Sequence, residues 1–278
     1  MSDFKTIVLC ADDFGLNSGV SQGILKLVQM RRLSAVGCMT NMPDFNLHAK
    51  DLCALKREVQ TGLHFNLTEG YFLSEPERPC FSLNNLLIKS HLHLLNLDLI
   101  AKEFNAQLDH FIQMMGEMPD FIDGHEHVHQ FPGIRRVILD IYEQRIKPHR
   151  AWIRSTYPSI TIFKYWFKGM ILAMAGGRKL HAELKKLTIP HHHYFAGVYD
   201  FAPDADYPAL FKHWLTLVPS DTLIMCHPGD CLIPSMTRLI ELNYFLSDEF
   251  VNDCQEHRVR LFLSTSPKSG EDEAINRD

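Results

Sequence analysis

The sequence predicts an α/β fold, a single-domain deformed (β/α) barrel of the TIM-like kind with roughly seven or eight parallel strands. Three observations carry that expectation. Short apolar, β-branched runs alternate with amphipathic helical stretches over most of the 278 residues. The runs are apolar at consecutive positions, as strands covered on both faces are. Acids and histidines then fall where the runs end, at the edge of the sheet where α/β proteins collect their chemistry. An open doubly wound sheet is the runner-up. With 46% hydrophobic residues the chain can bury a sizeable core. One domain over 1–265 is expected, with a polar tail over 266–278 that has almost nothing to bury and should be disordered.

The elements follow in order. The run Thr6-Ile7-Val8-Leu9-Cys10 is the first strand, ending in Ala11-Asp12-Asp13-Phe14-Gly15. Asn17 can cap a helix reaching residue 31, with Val20, Ile24, Leu27 and Val28 on one face. Residues 34–41 read as a strand, 44–55 as a helix, and 60–67 as a third strand carrying His64. A loop-rich excursion, with Pro76 and Pro79, occupies 68–96. Residues 97–115 form a helix stopped by Gly116 and Pro119, and 120–124 a short strand running into a histidine cluster, with Pro132 opening the next helix. Strands at 151–155, 222–226 and 259–263 and helices at 205–217 and 236–257 complete the series. The stretch 157–198, aromatic and basic with the run His191-His192-His193, has no clear period.

Charge and cysteine usage exclude several classes. The formal net charge is -5 with acids and bases interspersed, which makes no electrostatic case for nucleic acid or an anionic membrane. The seven cysteines are scattered and form no Cys-x-x-Cys pair, against both a disulfide framework and a thiolate zinc site. No signal peptide and no membrane span are legible, so a cytoplasmic location is expected.

Four polar constellations stand at or just past strand ends: Asp12-Asp13, His64, the segment Asp123-Gly124-His125-Glu126-His127-Val128-His129, and His227 in Cys226-His227-Pro228-Gly229-Asp230. Adjacent carboxylates repel and need a cation or a shared proton between them. The three alternating histidines share a face if extended, whereas a helix would pair His125 with His129. Either arrangement offers imidazoles to a cation, and the spacing does not decide which histidine binds. The others are candidate outer-layer donors or substrate contacts. His227, delivered by a strand and followed by a Pro-Gly turn, suits proton transfer near neutral pH. Arg154 ends another strand and can orient a carboxylate or bind substrate. No nucleophile elbow, phosphate-cradling glycine loop, His-Glu-x-x-His or dinucleotide fingerprint is present. Metal-assisted hydrolysis is the chemistry that remains. A metal-dependent phosphoesterase, with more ligands and two metals, and a non-catalytic sugar-binding barrel are the rivals.

These motifs, with Asn66-Leu67-Thr68-Glu69-Gly70, Arg238, Glu241 and Leu246-Ser247, resemble the YdjC-like carbohydrate deacetylases. The resemblance runs from Ala11 to Ser247. It implies a hydrolase that removes an N-acetyl group from an amino sugar, a chitooligosaccharide or a related glycan or glycolipid head group. It further implies one divalent metal held by Asp13, His64 and His125, with Asp12 as base and His227 as acid. Family precedent favours Mg²⁺, while imidazole ligands favour Zn²⁺ as the alternative; precedent also suggests a homodimer. His127, His129, Arg154 and Asp230 are left as outer-layer or substrate-binding candidates. Glu126 and Asp230 depart from the family pattern. Tyr71, Phe72, Trp152 and Trp166 are candidate sugar-stacking platforms.

Overall fold

The computed structural model describes residues 4–232 and 235–263, so the expected tail over 266–278 lies outside the described residues. Among the described residues, eight strands, all paired in parallel, form one curled sheet: β1 (Lys5–Phe14), β2 (Ala35–Cys38), β3 (Gln60–Phe65), β4 (Phe121–Gly124), β5 (Trp152–Ile153), β6 (Tyr194–Ala196), β7 (Thr222–Cys226) and β8 (Val259–Leu261). Their order is β5-β4-β3-β2-β1-β7-β6, with β8 against the start of β1. The backbone shows where β8 sits. Ile7 O accepts from Phe262 N and Leu9 O accepts from Ser34 N, so β8 and then β2 take successive stretches of one edge of β1. Between β5 and β6 the ladder is interrupted. The gap is closed by a parallel bridge between Ser159 and Phe195 and by the Ile153 amide donating to Pro190. The result is a deformed (β/α) barrel, with the open doubly wound sheet set aside.

Strand alternation assigns the two faces. Ile7, Leu9 and Ala11 pack outward with Val20, Ile24, Leu27 and Val28 of α1 (Ser18–Gln29). Val8 and Cys10 point inward, joining Ala35, Phe121, Trp152, Phe195, Leu223 and Met225 to fill the barrel. Phe121 and Trp152 stack with ring centroids 4.2 Å apart and planes 9° from parallel, forming the floor of that interior. The expected caps are in place. Asn17 Oδ1 accepts from Val20 N at 2.9 Å, and α4 (Leu97–Met115) ends at Gly116 with φ 77°.

Three stretches differ from the sequence expectation. The excursion over 68–96 contains α3 (Leu83–His91), whose short apolar stripe places only Leu86 in the core. Residues 236–257 are two helices, α9 (Thr237–Leu246) and α10 (Asp248–Glu256). Ser247 leaves the helical region at ψ 163° and its side chain accepts from Phe250 N, so a cap replaces a helical turn. The illegible stretch 157–198 holds α6 (Trp166–Leu172), α7 (Arg178–Lys186) and β6, broken by a bend at Gly176. The remaining helices are α2 (Pro43–Ala54), α5 (Ile134–Ile141) and α8 (Tyr207–Leu217). No helix among the described residues is long and apolar enough to cross a membrane.

Candidate active site

Alternation along β1 aims Val8, Cys10 and Asp12 into the barrel and should aim Asp13 outward. It does not, because Asp13 adopts φ 71° and the pairing with β2 slips between Ala11 and Phe14. This bulge turns two consecutive carboxylates toward one rim, at a cost of about 1–3 kcal/mol of backbone strain that Asp tolerates better than most residues. Gly15, at φ 99°, continues the turn where any side chain would meet Phe45 and the Met39 carbonyl.

Asp13 Oδ1 lies 2.8 Å from His125 Nδ1 and 3.4 Å from His64 Nε2. The ligand-capable atoms of Asp13, His64 and His125 all lie within 4.8 Å of one another. His64 reaches this position from β3. Asp123 Oδ1, on the neighbouring strand β4, holds its Nδ1 at 2.6 Å and leaves Nε2 for Asp13. Gly37 on β2 makes room for the ring, since a Cβ there would sit 3.2 Å from it. One carboxylate oxygen and two imidazole nitrogens suit a borderline divalent cation. Electrostatics agrees with such an occupant. Burial alone would depress His64, yet Asp123 and Asp12 push it up to about 10, so the pocket calls for positive charge at that nitrogen. Burial would raise Asp13, but His125 and Arg238 hold it well below the usual carboxylate range.

Asp12 is built differently. Arg154, fully buried, grips both its oxygens at 2.6 Å. The same guanidinium donates to Cys10 Sγ and lies 2.6 Å from Asp123 Oδ2, close as an ion pair although its N–H is not aligned along that contact. Cys10, Asp12 and Asp123 form a second cluster of ligand-type atoms, and Arg154 reaches all three. Burial opposes the charge on Asp12, but Arg154 and then His64 outweigh it and keep the group a carboxylate.

His227, carried past the end of β7, places Nε2 3.9 Å from Asp12 Oδ2 and packs edge-on against Phe201. Burial lowers it to about 4, so the imidazole is neutral near pH 7. Helix α9 anchors this side through two residues one turn apart. Arg238 donates to Asp13 Oδ2 at 2.5 Å, and Glu241 Oε2 accepts the His227 backbone N–H at 2.6 Å. Tyr199 donates to Glu241 Oε1, and burial raises Glu241 to about 7.

The structure separates the other predicted residues. The histidine segment is neither extended nor α-helical. It is a 3-10 turn with Glu126 and His127 at φ 51° and 58°, so only His125 reaches Asp13. His129 lies behind it, with Nε2 3.0 Å from the Arg154 carbonyl, and His127 packs edge-on between His129 and Phe195. Asp230 is outside the site: its carboxylate pairs with Lys26 at 2.6 Å on the surface. Two of the proposed sugar platforms are packing residues, Phe72 in the core and Trp152 in the floor stack. Tyr71 and Trp166 are exposed. Asp123 and Tyr199 were not singled out from the sequence. Asp123 carried a signal, an acid on an apolar strand beside His125, whereas Tyr199 falls just past the illegible stretch 157–198 and carried none.

A barrel whose strand ends gather a carboxylate-and-two-imidazole cluster, an arginine-held carboxylate and a neutral histidine has the make-up of a hydrolase-type rim. Residues 6–256 match the family described as YdjC-like protein, and the chain belongs to that family. A chitooligosaccharide deacetylase of Proteus mirabilis (strain HI4320) is 34% identical over 150 residues, covering 52% of this chain and 58% of that protein. A carbohydrate deacetylase of Danio rerio is 31% identical over 144 residues, covering 49% and 45%. The chain thus spans about half the length of the curated relatives it matches. A crystal structure from Enterococcus faecalis V583, provisionally described as a cellobiose-phosphate cleavage protein, shares the fold over 94% of this chain and 97% of its own. Its TM-score is 0.70 at 19% identity.

Proposed function

We propose that this protein is a metal-dependent carbohydrate N-deacetylase, releasing acetate from an N-acetylated amino sugar of the chitooligosaccharide or glycolipid head-group type. The observation that carries the reading is the division of the Asp12-Asp13 pair, one carboxylate among imidazoles and the other in an arginine clamp. Asp13, His64 and His125 would hold the cation, and Arg238 keeps the second oxygen of Asp13 engaged. A divalent cation there supplies a Lewis acid for the acetamide carbonyl and makes water acidic enough to attack near neutral pH.

The chain's own residues then move the proton. As the water oxygen bonds to the carbonyl carbon, Asp12 accepts its proton, with Arg154 fixing the carboxylate in place. A carboxylate so strongly favoured as an anion is a weak resting place for a proton, and neutral His227 is the next group able to take it. His227 passes it to the departing nitrogen as the C–N bond breaks, giving acetate and a free amine. The 3.9 Å gap between Asp12 and His227 is of the loose kind that closes around bound substrate.

Two features favour this over a phosphoesterase. Arg154 fills the second acidic cluster, which a two-metal centre would need for its other cation. The relatives with deacetylase names share the sequence family. Purified protein should release acetate from N-acetylchitooligosaccharides, lose that activity to EDTA, and regain it with Mg²⁺ or Zn²⁺. Acetate release at full rate after exhaustive metal removal contradicts the mechanism. Tight sugar binding without turnover would instead indicate a non-catalytic barrel.

A further inference from the structure

The segment joining β5 to β6 leaves an apolar helix face uncovered. Phe163, Trp166, Phe167, Met170, Ile171 and Met174 recur at three- and four-residue spacing through α6 and the turns flanking it, and all are exposed, Phe163 at 86% and Met174 at 73%. The opposite side is anchored. Tyr165 is buried, Leu172 packs on the barrel interior, and a Cβ on Gly169 would come within 2.8 Å of Thr161. The helix therefore cannot roll to hide its stripe. Uncovered apolar stripes of this extent mark interaction surfaces.

Charge selects the occupant. Residues 157–198 hold six lysines and arginines against the single acid Glu183, in a chain whose net charge is -5. The whole-chain mixing of charges conceals this local excess. Lys164 and Lys168 are exposed beside the stripe, Lys164 facing Asp200 at 3.8 Å and Asp204 nearby so that Lys168 is the less compensated of the two, and Arg178 and Lys179 are exposed at the next helix. A second copy of the chain docking symmetrically here would bring two basic flanks together, a repulsive arrangement. An apolar stripe with aromatic residues and lysines alongside is the make-up of a helix lying in a lipid interface. The place is apt as well. The Leu172 carbonyl accepts from Gln130 at 3.2 Å, and Gln130 ends the histidine segment that supplies His125, so the anchored side of α6 adjoins that segment while the stripe faces away from it.

We propose that α6 docks this protein on an anionic lipid surface, its apolar stripe in the interface and its lysines over the head groups. The docking stands independently of the deacetylase reading. The test is co-sedimentation with phosphatidylcholine vesicles with and without phosphatidylserine. It is paired with Trp166 fluorescence, since Trp152 and Trp214 are buried and should not respond. Wild-type protein should bind the phosphatidylserine vesicles, shift Trp166 emission to the blue, and release at high salt. The variant Phe167→Ser/Met174→Ser should lose at least tenfold in partitioning, and Lys164→Glu/Lys168→Glu about tenfold on anionic vesicles only. Both variants should keep wild-type melting and wild-type turnover of a water-soluble N-acetylated substrate, so that failure of docking and failure of the deacetylase reading are seen separately. Absence of wild-type binding overturns the proposal. So does a wild-type dimer that the serine variant dissociates while vesicles bind neither form.

Discussion

The rim and the floor of the barrel are built from the same strands by opposite rules. At the floor, Val8, Phe121, Trp152 and Leu223 fill space with apolar contacts, and strand alternation is regular. At the rim the alternation breaks at Asp13, and two carboxylates, a guanidinium and His64 are buried within a few ångströms of the partly exposed His125. Of the two levels, it is the rim that carries the strain and the buried charge, so stability should come chiefly from the floor and activity from the rim. Changes at the two levels ought therefore to separate cleanly.

The largest effect on activity should follow His227→Ala. Turnover should fall by roughly a hundred- to ten-thousand-fold, as expected for loss of a proton-transfer group, with metal content and melting temperature near wild type. A steady-state assay beside metal analysis checks this, and an unchanged rate would make His227 a packing residue. The floor counterpart is Trp152→Ala, which removes one half of the Phe121 stack. It should cost about 3–5 kcal/mol in denaturant unfolding while the folded fraction keeps its turnover.

Arg154→Met joins the two levels, since it leaves Asp12 and Asp123 buried without their shared cation. About 3–5 kcal/mol of stability should be lost, and Asp12 should titrate within reach of ordinary carboxylates. Stability unchanged from wild type would mean that the clamp is not what holds Asp12 in place.

How far these levels were legible in the sequence differs for the same physical reason. Strand runs and caps are local, so α4 and β7 were readable to the residue, whereas β1 continues through the bulge to Phe14, past the apolar run that ends at Cys10. Asp12-Asp13, His64 and His227 stood out because polar groups at the ends of apolar runs are conspicuous. Which histidine of the cluster meets Asp13 was not legible, because it depends on left-handed backbone at Glu126 and His127, residues with no glycine to announce it. The placement of Arg154 and Arg238 was hidden as well, being set by contacts across 142 and 225 residues of chain. The stretch 157–198 defied reading because its apolar residues face solvent on α6, reversing the rule by which periodicity is interpreted.

A smaller effect sharpens the account of α9. Glu241 has a folded pKa of about 7 against 4.5 in the unfolded chain. The folded protein therefore binds more protons between those values, and this contribution to stability is full below pH 4.5 and lost as pH rises through 7. Glu241→Gln should flatten that part of the pH–stability curve of the metal-free protein, by up to about 3 kcal/mol. Thermal melts of the two proteins from pH 4 to pH 8 measure the difference. Parallel curves would mean that Glu241 is ionised throughout.

The central claim is that one carboxylate of the pair holds the cation and the other moves the proton. Metal content and acetate release measured side by side for Asp12→Asn and Asp13→Asn test it most directly. The account predicts that the Asp12 variant retains one equivalent of metal yet loses turnover, and that the Asp13 variant loses both. Normal metal content and activity in both variants, or metal loss from the Asp12 variant alone, would contradict it.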